Sequence, residues 1–292
     1  MLLEELGRTV LNERMDKVSI EKDAISIPRS NCVPREVWVA WFHHPLTKFS
    51  EGTTRYHLLR RETSMKVFSF CLYGPYNERY YPGMIENIHL IHKHFPGWYI
   101  YIYVGADVDQ HTVDILRSAP RVVLRMTGKV GAGNMINRFF AIDEPNVEIM
   151  MVRDADSRVH WRDRWAIRQF EQSPAIAHSI RDYPLHTAAL MGGLWGLKKG
   201  SGLHIQTEYA SFLANPVDKG MSHDQDFLGD RIYPSVKSQL LAHTGNGGPC
   251  GIGETCRPFP FPPQDNFYCG KVEYTGFVDV PPPARNFLGK PQ

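Results

Sequence analysis

From Lys66 onward, short apolar runs alternate with helical periods. Val67-Phe68-Ser69-Phe70-Cys71-Leu72 has the length and make-up of a buried strand, and Tyr73-Gly74-Pro75 closes it with a turn signal. Pro82 suits a first helical position, Ile85, Ile88, Ile91 and Phe95 recur near the helical period, and Pro96-Gly97 stops them. The pattern predicts a helix of about fourteen residues. Trp98 to Val104, aromatic and β-branched throughout, predicts a second strand, followed by a helix over 110–118 and the strand Val122-Val123-Leu124. A helix from about Asn134 to Ile142 leads to a fourth strand, Val147 to Val152. Such alternation predicts an α/β fold, a mostly parallel central sheet with helices on both faces, whose ligands bind at the carboxyl ends of the strands.

The flanks read differently. Residues 1–65 show weaker periodicity, with Val37 to Phe42 the one clear strand candidate, and are expected to form an N-terminal appendage to a domain over 66–245. Residues 246–292, rich in Pro, Gly and aromatics, are expected to form an irregular tail packing on that domain. Hydrophobic residues make up 42% of the 292, enough for a core, and 33 basic against 31 acidic residues leave a net charge of +2, which argues against a dedicated nucleic-acid partner. No run approaches the ~20 apolar residues of a membrane span, and the start lacks a secretory layout, so a soluble, cytoplasmic protein is expected. The odd, scattered cysteines (Cys32, Cys71, Cys250, Cys256, Cys269), with no Cys-x-x-Cys pair, read as free thiols in a reducing compartment.

The chemistry concentrates after the fourth strand, in Arg153-Asp154-Ala155-Asp156-Ser157-Arg158. Residues i and i+2 of an extended chain project alike, so Asp154 and Asp156 offer paired hard oxygen ligands for a divalent cation. The apolar strand before them would hold both at a fixed mouth.

With that motif in place, the sequence resembles the glycosyltransferases of the A-type (GT-A, Rossmann-like) fold, in which an Asp-x-Asp after a central strand holds Mn²⁺ on the diphosphate of a nucleotide sugar. Other segments follow in the family's order over residues 66–245: Asn137 to Ile142 before the acidic motif, Gly192-Gly193-Leu194-Trp195-Gly196-Leu197, Asp224-Gln225-Asp226-Phe227-Leu228, and Leu240 to Gly245 with His243. The order is that of glycogenin-like and galactosyltransferase-like members. More narrowly, the acidic motif with Arg181 to His186 and the Gly-Gly-x-Trp-Gly strand looks like a subgroup of bacteria and large algal viruses that decorates capsid glycans. The sequence departs from the glycogenin-like pattern at Asn246 to Pro249, which stand in place of the usual Lys-Pro-Trp.

The resemblance implies transfer of a sugar from a nucleoside-diphosphate donor, UDP by preference, to a glycan or glycoprotein hydroxyl, with Mn²⁺ or Mg²⁺ as cofactor. It implies Asp154, Asp156 and His243 as metal ligands, with Asp154 alternatively on the ribose and His243 alternatively a core histidine. Cys71, Tyr73 and Arg138 fall on the nucleotide side, though Arg138 also fits a helix-surface charge. Asp224 is the candidate carboxylate at the reacting carbon, or a helix N-cap. Arg158, Asp182, His186, Gly193 and Trp195 are candidates for contact with donor sugar or acceptor; Trp195 in an apolar strand equally fits the core. His89, His92 and His94 spread around their helix and read as exposed. Two competing readings are a haloacid-dehalogenase-type Mg²⁺ phosphatase, which also starts from Asp-x-Asp, and a non-catalytic carbohydrate-binding module.

Overall fold

The computed structural model describes residues 19–21, 24–26, 48–51, 54–56, 64–214, 223–245, 249–261, 267–274 and 277–279. The chain divides into two units, Met1–Glu62 and Thr63–Gln292. In the first, strands β1 (Ser19–Glu21), β2 (Ala24–Ser26), β3 (Lys48–Glu51) and β4 (Thr54–Tyr56) form a sheet in that order. The strand candidate Val37 to Phe42 lies outside the described residues.

In the second unit the predicted alternation is present: β5 (Met65–Leu72), α1 (Tyr81–His94), β6 (Tyr99–Val104), α2 (Gln110–Ser118), β7 (Val122–Met126), a 3₁₀ helix (Gly131–Asp143) and β8 (Val147–Arg153). Then come α3 (Trp161–Gln172), β9 (Ala177–Arg181), β10 (Leu194–Lys198), α4 (Ile205–Ala214), α5 (His223–Phe227), β11 (Leu240–Thr244) and β12 (Thr255–Pro258). The eight strands form one sheet in the order β12-β11-β9-β10-β8-β5-β6-β7. Five of its seven pairings are parallel. Only β10 runs against its neighbours, β8 and β9.

The period-two alternation of strand side chains sorts the core into two layers. Phe68, Phe70, Ile149 and Met151 pack with Ile88 and Ile91 of α1, Leu116 of α2 and Phe170 of α3. Val67, Met150, Val152 and Trp195 face the opposite way, onto Phe139 of the 3₁₀ helix, Phe212 of α4 and Phe227 of α5. The segment read as a helix from Asn134 winds more tightly than an α-helix. Two glycines open it, and the Asn134 amide donates to the carbonyls of Lys129 and Gly131 at 3.1 and 3.0 Å, competing with regular helical bonding.

The C-terminal segment contributes β12, a bridge from Val272 to Ser157, and Phe259 and Cys269 in a small core with Ile180 and Leu194. Cys250 and Cys256 form a disulfide, which corrects the reading of free thiols; Cys71 and Cys269 are free and buried. Among the described residues no helix is long and apolar enough to cross a membrane.

Candidate active site at the carboxyl ends of β5 and β8

The chain adds β6 and β7 on one side of β5, then returns to place β8 on the other. The strand order therefore reverses between β5 and β8, which opens a crevice at their carboxyl ends. Ser69 pairs with Val152, so the next residues on that face, Cys71 and Asp154, come level at the mouth. Ser69 donates to the carbonyl of Arg138 at 2.6 Å and so fixes the 3₁₀ helix over this edge.

Arg138 is the hub. Its guanidinium is buried, pairs with Asp154 through Nη1, and reaches Asp224 through Nη2 at 3.1 Å. The two carboxylates raise its pKa against the opposing effect of burial. Gly192 and Gly193, just before β10, line the same place. A Cβ on Gly193 would overlap the Asp154 carboxylate, and one on Gly192 would sit 3.1 Å from Asp224 and 3.2 Å from Arg138. Gln225 accepts from the backbone N–H of Gly192 at 3.1 Å, tying α5 to that turn. Tyr73 lies half-buried alongside, and burial raises its hydroxyl to about 12. Burial pushes the Cys71 thiol up to about 11, so it is a neutral lining group.

Asp156 departs from the extended geometry assumed for the pair. The chain turns at Asp154, whose carbonyl accepts from the Ser157 hydroxyl at 3.0 Å and from its N–H at 3.3 Å. The turn sends the Asp156 carboxylate to Arg79, which donates through Nε at 2.7 Å and Nη2 at 2.5 Å. Burial and the nearby negative charge of Asp154 raise the Asp156 pKa. Helix α1 clamps the turn from behind: Asn87 donates to Ser157 O at 2.7 Å and accepts from Val159 N–H at 2.9 Å, and Glu86 pairs with Arg158 at 2.5 Å. Gly83 leaves no space for a Cβ against the Ala155 carbonyl.

The structure thus brings together Cys71, Tyr73, Arg138, Asp154, Gly193 and Asp224, with Asp156 beside them. It does not bring His243. His243 on β11 aligns with Ile180 on β9, and β9 and β10 lie between β11 and β8, so three strand spacings, about 14 Å, separate it from β8. Its ring points to the α3 side, where Nδ1 shares a 2.8 Å hydrogen bond with Nε2 of His178 and Trp165 packs against it. Burial drives His243 down to about 3 and His178 well below its usual value. His243 is a core histidine, not a third ligand.

Four more candidates resolve into structure. Trp195 is fully buried, edge-on to Phe139 at 5.2 Å. Arg158 is buried against Glu86. Asp182 forms a buried bidentate pair with Arg162 at 2.7 and 2.5 Å and accepts from Cys269 N–H. His186 packs edge-on against the stacked rings of Tyr183 and Tyr268, and burial lowers it to about 4. His94, read as exposed, is buried and bonds Asp279 at 2.9 Å. Arg79 and Asn87 escaped the sequence reading, since a lone Arg in a loop and a lone Asn in an amphipathic helix carry no periodic or spacing signal.

No family model and no curated protein matches this chain. Among solved structures it is similar to a glycosyltransferase involved in the glycosylation of the major capsid of PBCV-1, at TM-score 0.41 and 10% identity over 61% of this chain and 82% of that one. It is also similar to a mannosyltransferase of Pyrobaculum calidifontis in complex with GDP-Man and Mn²⁺, at TM-score 0.39 and 15% identity, over 70% of this chain and 58% of that one. A 4-diphosphocytidyl-2C-methyl-D-erythritol synthase of Anaerococcus prevotii matches at TM-score 0.41 and 9% identity, over 65% and 91% of the two chains.

Proposed function

We propose that this chain is a metal-dependent glycosyltransferase that moves a sugar from a nucleoside-diphosphate donor, UDP-linked by preference, to a hydroxyl of a glycan or glycoprotein. The observation that carries the reading is the convergence of Asp154, Asp156 and Asp224 with Arg138 at the strand-order reversal. The residues fit a hard divalent cation: two adjacent carboxylates, one of them with its side chain 44% exposed, offer oxygen donors at the mouth. Asp154 and Asp156 would hold Mn²⁺ or Mg²⁺. With His243 absent from the set, water and the donor's phosphates would complete the shell. Bound there, the cation stabilises the charge that develops on the departing nucleoside diphosphate.

The chain's own groups supply the rest. Arg138 orients Asp154 and Asp224 by bonding both, and Tyr73 offers an aromatic face at the end of β5. Asp224, on the short helix α5 and paired with Arg138, would accept the acceptor hydroxyl's proton or face the electron-poor sugar carbon. The Gly192-Gly193 turn packs directly against the Asp154 and Asp224 carboxylates, so the absence of side chains there lets both groups sit at the mouth.

Calorimetric titration with UDP and with GDP, each in Mn²⁺ and again in EDTA, tests this reading. Mn²⁺-dependent binding of UDP is expected, followed by slow hydrolysis of a UDP-sugar. Binding of neither nucleotide would turn attention to the phosphatase and sugar-binding readings, which phosphate release and glycan binding without nucleotide would then distinguish.

A further inference from the structure

Three carboxylates, Asp154, Asp156 and Asp224, meet two guanidinium groups, Arg79 and Arg138, so the cluster carries one net negative charge. The two arginines are not equivalent. Arg138 is 6% exposed, rises from the 3₁₀ helix and bridges two carboxylates, so removing it would leave charges uncompensated in a buried place. Arg79 is 38% exposed, comes from the loop between β5 and α1, and has Asp156 as its carboxylate partner. The Tyr80 ring lies 5.2 Å from the guanidinium carbon, and Tyr274 is a further neighbour. The loop fixes its backbone through the Asn77 side chain, which accepts from Arg79 N–H at 2.9 Å, while the guanidinium reaches Asp156.

Asp156, by contrast, has a side chain only 8% exposed. Arg79 can move into solvent at little cost, whereas Asp156 cannot.

We propose that Arg79 is a displaceable counter-ion: it pairs with Asp156 and aims its carboxylate when no cation is bound, yields that carboxylate to the divalent cation, and then pairs with the diphosphate the cation carries. This rests on the metal and nucleotide reading above. Arg79 is a positioning residue in the first state and a ligand-binding residue in the second. The exchange needs no rearrangement of the sheet, since only a half-exposed side chain on a loop has to swing.

The two roles predict effects of opposite sign, which a merely structural arginine would not produce. In Arg79→Gln, Mn²⁺ alone should bind about fivefold more tightly, the effect of removing a partly exposed competing pair. UDP at saturating Mn²⁺ should bind that variant about fivefold more weakly. Arg79→Lys, which keeps the charge, should stay within about twofold of wild type in both titrations. Calorimetry on the full chain reads both constants, and matching thermal unfolding curves show that the variants are folded.

Mn²⁺ binding to Arg79→Gln no tighter than to wild type would overturn the proposal. Tighter Mn²⁺ with unchanged UDP affinity would overturn the phosphate-pairing half and support the counter-ion half. If wild type binds Mn²⁺ but not UDP, the nucleotide reading fails while the Mn²⁺ comparison still decides the counter-ion role. Absence of Mn²⁺ binding in every protein would overturn both.

Discussion

Gly193 shows how little freedom single residues have at this mouth. Its missing side chain is the space that the Asp154 carboxylate occupies, so Gly193→Ala must push that carboxylate away from Arg138. The expected outcome is a folded protein, destabilised by roughly 1–3 kcal/mol, whose Mn²⁺-dependent UDP binding is weakened at least tenfold by calorimetry. Asp224 makes a different prediction. It touches Arg138 but belongs to α5 rather than to the acidic turn, so Asp224→Asn should leave UDP affinity near wild type and lower turnover by roughly 10²-fold or more. Comparing steady-state transfer with UDP titration for this variant checks the assignment, and unchanged turnover would reduce Asp224 to a partner of Arg138. The carboxylates could be picked out in the sequence because Asp-x-Asp follows an apolar strand. Arg79 could not, because nothing in its surrounding residues marks it as the partner of a residue 77 positions away.

At the scale of elements, helix α1 is both a core layer and the support of the acidic turn. Its apolar stripe, Ile88 and Ile91 among others, is readable from spacing and packs on β5 and β8. Asn87 sits on the same buried side, where the spacing pattern would call for an apolar residue, and it spends its amide on the turn's backbone. Asn87→Ala leaves a buried carbonyl at Ser157 and a buried N–H at Val159 without this partner. A loss of about 1–3 kcal/mol is expected in chemical denaturation, with weakened metal binding because the turn that aims Asp156 is loosened. Equal metal affinity in a destabilised Asn87→Ala would separate support of the fold from support of the site. The 3₁₀ helix makes the converse point: its helical period was visible, but its tight winding depends on how Asn134 uses its amide.

Across the whole molecule, the sheet separates two kinds of buried chemistry. The carboxylate mouth lies on the 3₁₀-helix side, while His178 and His243 are sealed on the α3 side, neutral and bonded to each other. Both histidines have folded pKa values depressed below the unfolded value near 6.5, so the unfolded chain binds protons that the folded one refuses. Stability from this pair is complete above about pH 6.5 and is lost as pH falls from there towards 3. Between pH 7.5 and pH 5 His243 should remove roughly 2 kcal/mol from the unfolding free energy, and His178 adds to the loss in the same direction. In a His178→Leu/His243→Leu variant the dependence on pH over that range should flatten, as read by urea unfolding at both pH values. Persistence of the full wild-type slope in that variant would place the acid sensitivity elsewhere.

The sequence alone determined the succession of strands and helices from residue 66, the α/β class, and an acidic pair just beyond β8. Those features are local: they follow from hydrophobic period, turn residues and short acidic spacing, which act between near neighbours in the chain. Tertiary structure decided which side of the sheet each residue faces and which distant groups meet. It placed His243 three strands away, joined Asp182 to Arg162, sealed Trp195 in the core and paired Cys250 with Cys256. A one-residue change in register reverses the face of every strand side chain, so a sequence motif names a residue without saying which layer will receive it. Arg138 between Asp154 and Asp224, and Arg79 over Asp156, exist only because the strand order reverses at β5. That reversal comes from long-range packing, and no local pattern encodes it.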